Sequence, residues 1–122
     1  MITDQRVIPI LKIVDVIRAK EFYVDMMGFE VEWEKKSDEK SSIYMILSYK
    51  HIILYFTDYD EVASESSVFI EFSGLKEYQG FLLERKAEYM IADLNMTPWE
   101  SLSMEVVDPF GNKLLFCEPF NG

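Results

Sequence analysis

The chain has 122 residues and 49% hydrophobic content, near the commonest size of one domain and enough to bury a core. Its formal net charge is -10, from 22 acidic and 12 basic residues; such a surface repels phosphate backbones and argues against nucleic-acid binding. A single cysteine, Cys117, excludes an intramolecular disulfide and a cysteine metal cluster.

In chain order, residues 6–14 read as a strand rich in β-branched residues, with Pro9 at a bulge, an edge or a start. Residues 1–6 are polar and lack the apolar core of a signal peptide, and no apolar run approaches the roughly 20 residues that span a bilayer. A cytoplasmic location without membrane contact is therefore expected. Asp15 is placed to cap a helix carrying Val16, Ala19, Phe22, Tyr23 and Met26 at helical spacing, and Gly28 stops it. Residues 29–34 alternate, predicting a strand with Glu30, Glu32 and Glu34 on one face and Phe29, Val31 and Trp33 on the other. Residues 43–48 and 51–57 predict a hairpin turning at Tyr49 and Lys50, and the acidic, Ser-rich stretch 58–67 predicts a linker.

The pattern then restarts. Residues 68–72 predict a strand, 75–88 a helix, 89–94 a short strand, and 102–107 and 113–117 a hairpin around Asp108-Pro109-Phe110-Gly111-Asn112. At an offset of roughly 59 residues Leu11 matches Ile70, Ile13 matches Phe72, Phe22 matches Phe81 and Met45 matches Met104, the sign of a duplicated unit. The expected fold is α+β. Two βαβββ repeats, about residues 6–57 and 67–119 of a single domain spanning 1–122, form an open curved barrel with a groove between them.

The stretch Ile8-Pro9-Ile10-Leu11-Lys12-Ile13-Val14-Asp15-Val16, then Phe22-Tyr23 and Met27-Gly28-Phe29, resembles the opening of the glyoxalase/bleomycin-resistance/dioxygenase (vicinal oxygen chelate) superfamily. Thr97-Pro98-Trp99 with the later Asp108-Pro109-Phe110-Gly111-Asn112 resembles the ending of its bleomycin-resistance branch, a bacterial type of protein. The resemblance implies the same paired βαβββ fold and a homodimer, often with ligand clefts at the subunit boundary and sometimes with swapped elements. Enzymes of the superfamily hold a divalent metal with four side chains, usually His and Glu. Carried onto this chain, those positions fall at or near Ile8, Ile53, Val68 and Leu115, none of which ligates. His51, Glu71 and Glu118 could at most make a weak site. No metal or cofactor is expected, and no catalytic residue.

In the antibiotic-binding branch, aromatic rings clamp a flat part of the ligand. Trp33 and Trp99 match that pattern, and Trp is the best cation–π partner. Tyr44, Tyr55 and Glu118 join them as candidate ligand-binding residues. Each has a plainer reading as core, interface or solvated surface; Cys117 reads as a small buried hydrophobe. The function expected is metal-independent sequestration of a small molecule, cationic or planar like a bleomycin-like glycopeptide, in a groove at a dimer interface. The alternatives are a metal-dependent lyase, transferase or dioxygenase of the same fold, and a regulatory or interaction protein on that scaffold.

Overall fold

A computed structural model describes residues 1–35, 42–85, 94–99 and 101–119. Strand β1 (Ile10–Lys12) is followed by helix α1 (Val16–Lys20), which runs on into a π-helical turn over Glu21–Met26. Then come β2 (Glu30–Glu34), β3 (Tyr44–Tyr49), β4 (Ile52–Thr57), β5 (Ser67–Glu71), α2 (Leu75–Glu84), β6 (Asn95–Met96), β7 (Leu102–Val107) and β8 (Lys113–Glu118). The strands form two four-stranded sheets ordered β1-β4-β3-β2 and β5-β8-β7-β6, which do not close into a barrel. In each, the first strand is parallel to the last and the remaining pairs are antiparallel. The two sheets are one design used twice, as the repeated order predicts.

Local chemistry sets the element ends. Asp15 caps α1, its Oδ1 accepting from the Arg18 backbone N–H at 3.1 Å. At the matching place before α2 stands Gly74, at φ 86 and with no side chain to cap. Glu118 supplies the missing acceptor from β8, its Oε1 taking the Leu75 N–H at 3.0 Å. Gly28 ends the first helix at φ 86, where a Cβ would stand 3.0 Å from the Phe81 ring of α2. Strand β1 is shorter than the expected 6–14, because residues 1–7 are exposed and only the segment from Pro9 onward engages β4. The strand expected over 89–94 falls almost wholly outside the described residues, and the helix expected over 75–88 ends earlier, at Glu84 with Arg85 as its C-cap.

One face of each sheet packs against the helices. Leu11, Ile13, Met45, Leu47, Leu54 and Phe56 bury against Phe22 and Tyr23; Ile70, Met104, Val106, Leu114 and Phe116 bury against Leu75, Tyr78 and Leu82. These form one continuous core, each large side chain contributing about 1.5–3 kcal/mol. The Asp108–Asn112 turn locks the halves together. Asp108 accepts from the Tyr23 hydroxyl at 2.7 Å, from Asn112 Nδ2 at 2.9 Å, and from the Phe110 and Asn112 backbone N–H groups at 2.8 Å. Asn112 Nδ2 also donates to the Lys12 carbonyl at the end of β1.

Candidate functional site

Alternation along the strands leaves each sheet a second face, turned away from the helices. On the first sheet, register aligns Trp33, Ile46, Tyr55 and Ile10 in a row across β2, β3, β4 and β1. On the second, it aligns Phe69, Leu115 and Glu105 across β5, β8 and β7. Ile10 and Phe69 are equivalent in the duplication, so these are the same row drawn twice. Apart from Glu105 the rows are apolar yet partly uncovered: Trp33 is 52%, Ile10 49%, Phe69 58% and Leu115 38% exposed. Between the sheets lies a hollow of about 290 Å³ bounded by Val7, Pro9, Ile53, Phe69 and Glu71.

Trp33 reaches this face through a bulge. Val31 pairs with Leu47 and Trp33 with Ile46, so Glu32 is an extra residue without a partner. The expected single face of Glu30, Glu32 and Glu34 therefore does not exist. Glu30 lies on the open face opposite Ser48, whereas Glu34 turns to the helix side and meets Lys20 Nζ at 2.6 Å. Without the bulge, plain alternation would have put Trp33 on the helix side with Val31.

Of the other candidates, Tyr44 and Tyr55 share the open face with Trp33. Their rings meet edge to face at 6.3 Å, Tyr59 closes on Tyr44 at 5.1 Å, and Lys35 Nζ sits 5.1 Å from the Tyr44 centroid. The outer edge of this sheet thus already holds one cation against an aromatic face. Trp99, 60% exposed, follows β6 in a turn pinned by Thr97 Oγ1 accepting from the Ser101 N–H at 2.9 Å. It stands at the far edge of the second sheet, as Trp33 stands at the far edge of the first, and the structure does not bring the two together. Glu118 does not belong to this face. It shares the helix side with Leu114 and Phe116, and its carboxylate is occupied as the cap of α2.

The duplication also gives the equivalents of two of the positions carried over from the superfamily's enzymes. Leu115 pairs with Phe69, so its counterpart is the partner of Ile10, which is Tyr55 and not Ile53. Val68 pairs with Leu114 on the helix side, and the equivalent of Ile8 is Ser67. Whether Ile53 and Val68 or Tyr55 and Ser67 stand with Ile8 and Leu115, the set holds only alkyl chains and hydroxyls. This donor set does not fit a divalent metal that seeks imidazole and carboxylate. His51 and Glu71 border one hollow, while Glu118 is turned away from them. Among the described residues no group of three or more His, Cys, Asp or Glu gathers.

The sequence reading did not single out Phe69, Ile10 or Ile46. The run Val68-Phe69-Ile70 is apolar throughout, so alternation cannot say which residue faces out; only its pairing with β8 does.

A model of the glyoxalase superfamily protein family matches residues 1–122. The chain belongs to the glyoxalase superfamily. Among solved structures, a bleomycin resistance determinant encoded on the transposon Tn5 is 20% identical, with 98% of this chain and all of that one covered and a TM-score of 0.78. The bleomycin-binding protein of Streptomyces verticillus, solved with copper(II)-bleomycin, is 21% identical over 98% of this chain and all of its own, with a TM-score of 0.72. TnmS3, an antibiotic binding protein from Streptomyces sp. CB03234, is 18% identical over 98% of this chain and all of its own, with a TM-score of 0.71. At such identity these likenesses speak for the fold. A search of curated proteins found no match.

Proposed function

We propose that this superfamily member binds a small planar or cationic molecule on its open face and acts by sequestration, with no bond broken and no metal required. The observation that carries this reading is the pair of uncovered rows, one with Trp33 (52% exposed) and Tyr55 on the first sheet and one with Phe69 (58% exposed) on the second. Exposed contiguous aromatics on a folded protein mark a surface that something else covers. Trp and Tyr faces attract both flat rings and positive groups. The chain's net charge of -10 would enrich cations around it. Solved structures of the same fold include a bleomycin-binding protein and an antibiotic binding protein, which supports the ligand class. A donor set of only alkyl chains and hydroxyls supports metal-independent binding over a metal-dependent lyase or dioxygenase.

In this reading Trp33, Tyr44 and Tyr55 form the ligand face of one protomer of a homodimer. Trp99 joins the site from the edge of the other sheet when two copies meet. The test is a titration of tryptophan fluorescence with metal-free bleomycin, using protein stripped of metal. Saturable quenching near one ligand per subunit, lost in Trp33→Phe, is the expected result. Quenching unchanged in Trp33→Phe would remove the open face from the site, and a flat titration into high micromolar drug would end the antibiotic reading.

A further inference from the structure

The duplication builds its two matching hairpin turns differently. Between β7 and β8 the turn is long, and its buried Asp108 and Asn112 occupy the space beside α1. The equivalent turn between β3 and β4 holds only Lys50 and His51. Beside α2 it leaves a cavity of about 350 Å³ whose walls are Tyr49, Phe72, Tyr78 and Phe81, with Lys50 and Glu77 at the mouth. Small-molecule pockets start at about 300 Å³, so the space suits one small ligand. Phe72 and Tyr49 continue the helix-facing positions of β5 and β3, so this cavity opens on the opposite side of the sheets from the open face.

The walls form a run of rings: Tyr49 and Phe72 at 16°, Phe72 and Tyr78 at 26°, Tyr78 and Phe81 at 13°. Both ends of the run already hold a cation. Lys50 Nζ lies 5.9 Å from the Tyr49 centroid, and the Arg85 guanidinium carbon lies 4.2 Å from that of Phe81. The negative faces of the rings therefore attract positive charge here. Glu77 lines the same cavity, and Glu30 and Glu71 line two neighbouring hollows that share Lys50. Among the described residues the ion pairs are Lys20–Glu34 and Lys113–Glu105, so these three carboxylates have no cationic partner there.

We propose that this cavity is a second binding site, for a small organic ammonium ion with an apolar body, and that Lys50 is the chain's own stand-in for that ion at its mouth. The apolar body lies against Phe72 and Phe81. The ammonium takes the ring faces and Glu77. Lys50 competes with the ligand, so its removal strengthens binding.

The probe is benzyltrimethylammonium, titrated into the full chain and followed by amide and indole NMR shifts. Expected are saturable shifts at Ser73 and Gly74 with the Trp33 indole unmoved. Binding should tighten several-fold in Lys50→Asn and weaken several-fold in Glu77→Gln. Asn tolerates the left-handed backbone of Lys50 (φ 54), and both side chains are exposed, so the variants keep the fold. Shifts centred on the Trp33 indole, shifts spread evenly over the acidic surface, or none at all would overturn the proposal. So would loss of binding in Lys50→Asn, which would mark a site for anions. Only shifts at the Trp33 indole would bear on the open face, by placing the ammonium there; the other results leave ligand binding at that face untouched.

Discussion

At the scale of single residues, the chain spends its most buried polar chemistry on joining its halves. Asp108 is 4% exposed, yet it accepts four hydrogen bonds and has no cation among them. A buried carboxylate survives only when its lone pairs are filled. Tyr23→Phe removes one charge-assisted donor and should cost about 1–3 kcal/mol in urea denaturation. The same residue gives the fold an alkaline limit. Burial first, then the Asp108 charge and the hydrogen bond to it, push the Tyr23 phenol well above its usual range. Burial, then Tyr49, does the same for Tyr78, with Arg85 acting against them. Both phenols stay neutral in the folded state while unfolded tyrosines ionise near pH 10, so above that pH the unfolded chain binds fewer protons. Stability should be level below about pH 10 and then fall by about 1.4 kcal/mol per pH unit for each of the two. Denaturation series from pH 8 to 11 should show this slope reduced in Tyr23→Phe. An unchanged slope would mean that Tyr23 ionises as freely in the folded state as in the unfolded one.

At the scale of elements, much was legible because local chemistry decides it. The Asp15 cap, the Gly28 stop and strand β7 at 102–107 stand where spacing puts them. What escaped the sequence depends on pairing. A bulge has no signature in Glu30-Val31-Glu32-Trp33-Glu34, because an extra residue is extra only relative to a partner strand. Glu118 looked free for a ligand because its employer, the bare N-terminus of α2, lies 43 residues away in sequence. The candidate site was legible in its aromatic residues Trp33, Tyr44 and Tyr55, and illegible in Phe69, which register alone turns outward. The bulge makes a sharp prediction. Deleting Glu32 should leave Trp33 opposite Ile46 and Glu34 beside Lys20, because the partnered residues keep their partners. In a Trp99→Phe background, acrylamide quenching of Trp33 should be unchanged and stability should shift by less than about 1 kcal/mol. A buried, unquenched Trp33 in that variant would show that Glu32 is a working part of the ladder.

At the scale of the whole molecule, the duplicated design sends both helices to one side and leaves both open faces bare. A core that buries Phe56 and Phe116 completely while Phe69 stays 58% exposed is only half of a packing solution. A second copy supplies the missing half in the reading proposed above, since a twofold contact lets each open face cover the other. Symmetry then doubles the consequence of any change. Covering Phe69 contributes about 1.5–3 kcal/mol per subunit, and a twofold interface counts that contact twice. Phe69→Glu loses both contributions and adds two carboxylates that must stay wet. The dimer dissociation constant should therefore rise at least about a hundredfold, given tenfold per 1.4 kcal/mol. Sedimentation at micromolar concentration should show a dimer for the parent chain and a folded monomer for Phe69→Glu, with the circular dichroism of the two superimposable. A Phe69→Glu chain that stays dimeric would move the interface off the open face. The ligand would then be held by one subunit alone, and Trp99, at the edge of the other sheet, would have no route to it.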